Sequence, residues 1–478
     1  MNDYRVLIMG LGLNGGGLAS ALYFARAGAK LCITDMRDAE TLAPSIAELK
    51  DYDIRYVLGH HDIKDFENMD ILIKNPGVAS DSPYLQAAKK AGVSIETDLS
   101  VFFKANLKGP RAKIIAVSGS KGKSSVSSAL FWVLDKASKE GIIPGKAYLG
   151  GNIAVSPLSF LDSLQKDDIV VLELSSWQLG DLREIQKTDE TMKEAFKPRV
   201  ALITAIMPDH LDRYGSMEAY VADKRFIYHN QDKEDTTVVG DDEYGRSFAA
   251  ESKGRIRIYH AKAQRRQENN LLPEFQQRNM SAVTEALLDL GLPGDFIEKA
   301  LSTFPGVEHR LEMFFEEPLS EGTSVRWYND SAATIPQAAV AALEALSLAA
   351  DTKIIMVCGG SDKNLDLRPL ADALLKACSE KRLLAAYIFA GKASEKLLAI
   401  LQEDAYKTLL PLLKYPVNSA GEAAEGARKT IQASGGKHKI AVLLSPGCAS
   451  FGLFKNEFYR GRQWKDAVIA NHALSNHE

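Results

Sequence analysis

Nine short apolar runs, rich in β-branched residues, recur along the chain and alternate with segments of helical periodicity. No other feature constrains the fold as much. The runs are YRVLIM (4–9), KLCIT (30–34), DILIK (70–74), KIIAVSG (113–119), DIVVLEL (168–174), RVALITAI (199–206), TKIIMVCG (352–359), AAYIFAG (385–391) and KIAVLLS (439–445). Near-continuous apolar character belongs to parallel strands covered on both faces. Parallel strands need crossovers, and segments such as LASALYFARAG and IPQAAVAALEALSLAA supply them as helices. The expected class is α/β, built of open, mostly parallel sheets with flanking helices.

At 478 residues the chain exceeds one ordinary domain. KANLKGPRAK (104–113), with Gly109-Pro110, and the turn-rich STFPGVEHR (302–310) mark two boundaries. They predict domains over 1–108, 109–308 and 309–478. Two charged stretches, QKTDETMKEAFK (186–197) and AKAQRRQENNLLPE (261–274), read as surface excursions. The net charge of -4 gives no footprint for nucleic acid or a membrane surface. No apolar run reaches ~18 residues, so no membrane-spanning helix is expected. The N-terminal MNDYRVLIMG runs straight into a strand and does not read as a signal peptide. Cys32, Cys358, Cys378 and Cys448 lie far apart with no C-x-x-C. Neither a disulfide framework nor a zinc site is expected, and a reducing cytoplasm fits.

GLGLNGG places Gly10, Gly12 and Gly15 in G-x-G-x-x-G order between a strand and a helix, and Asp35 ends the next strand. Such a loop lets the backbone approach a diphosphate at a helix N-terminus, and the acid can accept hydrogen bonds from a ribose. UDP and NAD present similar phosphates, so a nicotinamide-dependent oxidoreductase is one reading. Close helix–strand packing alone is another.

A second loop, SKGKSS, follows the strand KIIAVSG and opens the helix VSSALFWVLDKA. It departs from G-x-x-x-x-G-K-[ST], because Val117 occupies the place of the first glycine. Backbone N–H groups around Gly119 to Ser124 and the Lys123 ammonium suit the β- and γ-phosphates, and the Ser124 hydroxyl suits Mg²⁺. Glu173 stands between Leu172 and Leu174 at the end of an apolar strand, where a charge needs a cation or partner. ALITAIMPDHLDRY delivers Asp209, His210 and Asp212 to a strand C-terminus, where ligands bind in α/β sheets.

Together these residues resemble the Mur ligase family, the ATP-dependent amide-forming enzymes of peptidoglycan precursor synthesis. The resemblance covers essentially the whole chain. The family's phosphate loop is a shortened G-[ST]-x-G-K-[ST], matched by Gly119, Ser120, Gly122, Lys123 and Ser124, with Lys121 and Ser125 beside them. LELSSWQL carries Glu173, similar to the family's Mg²⁺-binding acid, and DHLDRY carries His210 of the metal region. YVADKRFIYHN carries Lys224, in the place of a lysine that becomes carbamylated and helps hold Mg²⁺. The resemblance implies Asn279 near the adenine, and Arg310 and Asp330 reaching ATP from the third domain. Three sheet domains follow: a Rossmann-like N-terminal one, a P-loop ATPase-like central one and a Rossmann-like C-terminal one.

Within the family the likeness is to the D-glutamate-adding members. LLSPGCASFGLFKNEFYRG resembles their L-S-P-x-x-A-S-x-D-x-F-K-N-F-x-x-R-G stretch. This implies UDP-N-acetylmuramoyl-L-alanine, D-glutamate, ATP and Mg²⁺ as partners of a cytoplasmic monomer. Leu13, Asn14, Asp35, Arg37 and Gly77 would surround UDP, with Asn152 near the muramoyl sugar. Thr334, Lys363, Ser450 and Phe451 would hold D-glutamate, and His309 would orient substrate. Ala332 replaces a lysine, Ile335 an asparagine and Gly452 an aspartate, and Glu457 stands where an aromatic is common. Lys123, Glu173, His210 and Lys224 are the expected catalytic set. A catalytically inactive nucleotide-sugar-binding protein is the third alternative.

Overall fold

All nine apolar runs form strands, and each strand pairs in parallel with at least one neighbour. The computed structural model describes residues 3–475 apart from 14, 80, 154, 210, 262–264, 267–269, 272–273, 321–322, 348–351 and 436–437.

The first sheet holds β1 (Arg5–Met9), β2 (Lys30–Asp35), β3 (Ile54–Leu58), β4 (Ile71–Lys74) and β5 (Ser94–Glu96). Its order is β3-β2-β1-β4-β5, all parallel. The direction of winding reverses between β1 and β4, so a crevice opens past their C-terminal ends. The second sheet holds β6 (Lys113–Ser118), β7 (Ala147–Gly151), β8 (Ile169–Glu173), β9 (Val200–Ile203), β10 (Thr236–Gly240) and β11 (Arg255–Tyr259). Its order is β11-β10-β9-β6-β8-β7, again parallel throughout. Two-residue strands β12 (Arg265–Arg266) and β13 (Asn270–Leu271) pair with each other.

The third sheet holds β14 (Glu312–Ser320), β15 (Thr323–Asn329), β16 (Thr352–Gly359), β17 (Leu383–Phe389), β18 (Leu413–Val417) and β19 (Lys439–Leu444). Its order is β14-β15-β19-β16-β17-β18, and only the β14–β15 pair is antiparallel. Met356 and Cys358 feed the core on one face of this sheet, and Ile355 and Val357 the core on the other.

The chain divides into two compact units. One takes residues 1–264 with 274–304, and the other 265–273 with 305–478. The first two sheets share the first unit. The helix Asp98–Lys108 joins them: its Leu99, Phe102 and Phe103 enter one core with Val6 and Ile8 of β1, Ala116 of β6 and Leu172 of β8.

Sequence periodicity missed the strands with exposed or polar faces. Strand β11 has four of five residues outside the buried class. Strand β10 is wholly buried, yet Thr236 and Thr237 interrupt its apolar pattern. Their hydroxyls are satisfied, donating to Asp289 Oδ2 at 2.8 Å and Gln231 Oε1 at 2.6 Å. The stretch 186–197 is not a surface excursion: Met192 and Phe196 are fully buried there, and Phe196 packs on Phe103 at 4.8 Å between ring centroids. Much of 261–274 lies outside the described residues.

Candidate active site

The phosphate loop leaves β6 at Ser118. Gly119 adopts φ +138°, and a Cβ there would stand 1.9 Å from Thr204 Oγ1 at the end of β9. Only glycine permits both that conformation and that approach. Gly122 precedes the helix Lys123–Lys139, and Asn279 Oδ1 lies 2.5 Å from where a Gly122 Cβ would be. Asn279 thus sits against the loop. The first N–H groups of that helix have no partner within the helix, which suits this place to an anion. Not every loop N–H faces a phosphate position, as the sequence reading had it. Those of Ser120 and Lys121 donate to the Ala205 carbonyl at 2.8 and 3.4 Å. Ser120 Oγ donates to the Met207 carbonyl at 2.9 Å and shares a hydrogen bond with the Tyr220 hydroxyl at 2.9 Å. These bonds tie the loop to the segment after β9. Lys121 is exposed, and Ser124 and Ser125 are half-buried in the helix's first turn.

Lys123 Nζ donates to the Gly119 and Ser120 carbonyls, both at 3.0 Å. Lys224, on the helix Met217–Arg225, donates to the same Gly119 carbonyl at 2.7 Å and lies 4.6 Å above the Tyr220 ring. It is 1% exposed. Burial first, and then the neighbouring Lys123 charge, push the Lys224 ammonium well below the ordinary lysine range. Glu173 is 2% exposed at the end of β8. Its Oε1 accepts from Asn152 Nδ2 at 2.9 Å, and its Oε2 lies 3.5 Å from Ser127 Oγ. Asn152, expected near the sugar, is therefore also the partner of the expected metal ligand. Asp209 Oδ2 lies 3.5 Å from Lys121 Nζ. His210 lies outside the described residues.

Around the first sheet, Asp35 is buried, and its carboxylate is already engaged. Oδ2 accepts from the Gly12 N–H at 3.1 Å and Oδ1 from the Arg37 N–H at 2.9 Å. It fixes the two loops against each other, a role the motif alone did not indicate. Leu13, Arg37 and Gly77 are exposed, and Asn14 lies outside the described residues. The close-packing glycine is Gly17 rather than Gly15. A Cβ on Gly17 would meet the Gly10 carbonyl oxygen at 2.2 Å, whereas Gly15 precedes the helix Gly16–Arg26. One cleft of about 460 Å³ receives both loops: Gly16, Asn75 and Gly77 border it, and so do Lys123, Asn152 and Lys224.

In the second unit, the ends of β15, β16 and β19 gather the expected amino-acid residues. Ser361 and Ala449 pair through N–H···O bonds of 3.0 and 3.2 Å, which lays the loop of Lys363 beside that of Ser450 and Phe451. The Gly447 N–H donates to the Ala333 carbonyl at 2.9 Å, next to Thr334. Lys363 and Phe451 are exposed, and Ser450 is buried. Asp330 accepts from the Leu311 N–H at 3.0 Å and the Ser445 hydroxyl at 2.6 Å, while burial pushes its carboxyl up to about 7. Arg310 is exposed. His309 is buried, and its Nδ1 meets Asn329 Nδ2 and Ser331 Oγ, each at 3.0 Å. Arg460, unassigned from sequence, donates to the Cys448 carbonyl at 3.2 Å and the Ser331 carbonyl at 2.9 Å, so one buried guanidinium braces two loops.

This assembly has counterparts among known proteins. Residues 4–97 match the description "Mur ligase MurD-like, N-terminal domain", and residues 117–297 match "Mur ligase middle domain". A UDP-N-acetylmuramoylalanine--D-glutamate ligase from Treponema pallidum (strain Nichols) is 36% identical over 550 residues, covering 97% of each chain. The chain belongs to the Mur ligase family. A solved UDP-N-acetylmuramate-alanine ligase from Thermotoga maritima shares the fold at 20% identity, with a TM-score of 0.57 over 98% of this chain and 100% of that one. So does a MurF ligase from the same organism in complex with ADP, at 15% identity and a TM-score of 0.55, covering 99% of this chain and 96% of that one. This Mur ligase is an ATP-dependent acid–amino-acid ligase of peptidoglycan precursor synthesis, which sets aside the oxidoreductase and inactive-protein readings. Among the described residues, no helix of the Mur ligase is long and apolar enough to cross a membrane.

The expected Mg²⁺ is tested by its donors. Glu173 and Ser124 offer hard oxygens, as this ion requires. As an ammonium, Lys224 would repel a dication; carrying a carbamate, it adds an oxygen anion. Among the described residues no three His, Cys, Asp or Glu side chains converge on one point. Ser124 and Glu173 fit Mg²⁺ only together with further oxygen donors, such as nucleotide phosphates.

Proposed function

We propose that this Mur ligase adds D-glutamate to UDP-N-acetylmuramoyl-L-alanine through an acyl phosphate, in the cytoplasm and as a monomer. The observation that carries the reading is the shared cleft. Loops suited to a nucleotide diphosphate and loops suited to ATP open into one space that Lys123 and Lys224 border. The relatives' names supply D-glutamate. We assign the UDP-sugar to residues 1–108, ATP to 109–308 and the amino acid to 309–478.

A carboxylate is a poor electrophile and must be activated before an amine can attack it. The alanyl carboxylate oxygen attacks the γ-phosphorus of ATP, the bond to the β,γ-bridging oxygen breaks, and ADP leaves. The D-glutamate nitrogen then attacks the acyl carbon, loses a proton, and phosphate departs with the C–O electron pair. In the first step two anions approach each other. Lys123 offsets that repulsion and the charge developing on the transferred group. Held by Ser124, Glu173 and the Lys224 carbamate, Mg²⁺ would supply further positive charge at the phosphates. The carbamate forms when the neutral Lys224 nitrogen attacks CO₂, making an N–C bond and releasing a proton. The depressed basicity of Lys224 favours that neutral amine. Lys363 offers the cation that a dianionic amino acid needs, and Ser450 and Thr334 offer hydroxyls. The acyl phosphate must be kept from water, which calls for closure over the cleft.

The test is phosphate release with ATP, Mg²⁺, UDP-N-acetylmuramoyl-L-alanine and a panel of D-amino acids. Release that depends on both acceptor and D-glutamate supports the reading. Preference for another amino acid overturns the substrate assignment.

A further inference from the structure

Asp98 opens the helix Asp98–Lys108, and no step of the mechanism above uses it. Its Oδ1 accepts from the Leu99 N–H at 2.9 Å and its Oδ2 from the Ser156 hydroxyl at 2.8 Å. Burial pushes the carboxyl above its ordinary range, opposed by those two donors. The residue borders the large cleft with Lys123 and Asn152. It also borders the narrow recess behind, against Gly10, Gly16 and Gly17 of the first glycine loop. Asp98 thus touches both the space expected for the diphosphate and the space that reaches the phosphate loop.

An acid in that place is unexpected on charge alone. The cleft is proposed to take a diphosphate, a triphosphate and a carboxylate, all of which a carboxylate repels. Hydrogen-bond donors and cations gain from it, and Asp98 is not among the expected Mg²⁺ donors. Each carboxylate oxygen has a second lone pair beyond the one its intramolecular bond occupies. Between its diphosphate and its alanyl carboxylate, the proposed substrate presents sugar hydroxyl and amide N–H groups. We propose that Asp98 is a specificity-determining residue that accepts hydrogen bonds from hydroxyl or amide N–H groups of the nucleotide sugar. The inference rests on the nucleotide-sugar reading above and assigns a residue to the sugar itself.

A purely internal role, holding Ser156 to the helix, would affect all ligands alike. The experiment compares dissociation constants for UDP and for UDP-N-acetylmuramoyl-L-alanine by calorimetry, in the full-length wild type and in Asp98→Asn and Ser156→Ala. The ratio of the two constants reports the contacts beyond the uridine diphosphate. Asp98→Asn should collapse that ratio by about tenfold or more, the size expected for hydrogen bonds to a charged acceptor. UDP affinity itself should hold or rise, since a negative charge beside the diphosphate is removed, while Ser156→Ala should leave the ratio in place. The KM for the nucleotide sugar should rise with the KM values for ATP and D-glutamate unchanged. Equal weakening of both ligands, an unchanged ratio in Asp98→Asn, or the same collapse in Ser156→Ala overturns the proposal. Should Asp98→Asn melt below the assay temperature, Asp98→Glu moves the carboxylate and tests the same ratio. A wild type that binds the nucleotide sugar no better than UDP refutes the underlying reading instead.

Discussion

Lys123 and Lys224 share one acceptor: the Gly119 carbonyl takes a hydrogen bond from Lys123 at 3.0 Å and from Lys224 at 2.7 Å. Two ammonium groups at one carbonyl repel each other, and at Lys224 burial adds to that repulsion. Lys123 is half-buried and Lys224 almost wholly enclosed, and both border the cleft. Burial and the neighbouring Lys123 charge together depress the basicity of Lys224.

The first prediction concerns Lys224. A carbamate forms only from the neutral amine, and the depressed pKa places that form at lower pH than for an ordinary lysine. With ¹³C-bicarbonate, the wild type should show a carbamate resonance that grows as pH rises and is lost on acidification. Lys224→Ala should lack the resonance and most activity. Bicarbonate should not rescue it, whereas a short-chain carboxylic acid should. Full activity with no resonance at any pH would sink the idea.

For Lys123, removal of the cation proposed to offset charge on the transferred phosphoryl should lower kcat by at least ~10²-fold in Lys123→Ala. A melting curve alongside the assay separates loss of catalysis from loss of fold. Steady-state phosphate release measures this, and near-normal turnover contradicts the assigned role.

Gly119→Ala places a methyl group 1.9 Å from Thr204 Oγ1 and forces alanine to φ +138°. The conformation alone costs about 1–3 kcal/mol. Thermal melting should show a clear loss of stability, and nucleotide affinity should fall with it. An unchanged melting temperature would mean that the loop sits elsewhere.

Asp330 gives a pH signature. Its carboxyl is raised from 3.8 to about 7, so the folded state binds a proton that the unfolded state has released. The contribution is fully present below pH 3.8 and disappears as pH rises through about 7, at up to about 1.4 kcal/mol per pH unit between them. Asp330→Asn should flatten this part of the stability–pH curve, as read from denaturant midpoints. Parallel curves for wild type and variant would contradict it.

Lys363→Ala should raise the KM for D-glutamate about tenfold or more, the worth of a charged hydrogen bond, and leave the KM for ATP unchanged. Equal changes in both constants would place Lys363 outside the amino-acid site.

Much of this protein was legible in its sequence because the signals are local. Nine apolar runs declare parallel strands, and GSKGKS after one of them declares a phosphate loop, since strand periodicity and glycine placement act over a few residues. Other features were settled only when distant segments met. The neighbours of Lys224 in sequence carry no signal of its burial; its helix brings it to a carbonyl 105 residues away. The Asp35 carboxylate is drawn to the backbone of Gly12, 23 residues earlier, and its side chain braces loops. Asp98 gave no local signal, since it acquires meaning only from the cleft that two sheets close around it. Local pattern sets which elements form, whereas desolvation and partnership depend on what those elements enclose, and these decide the charge and the work of each buried group.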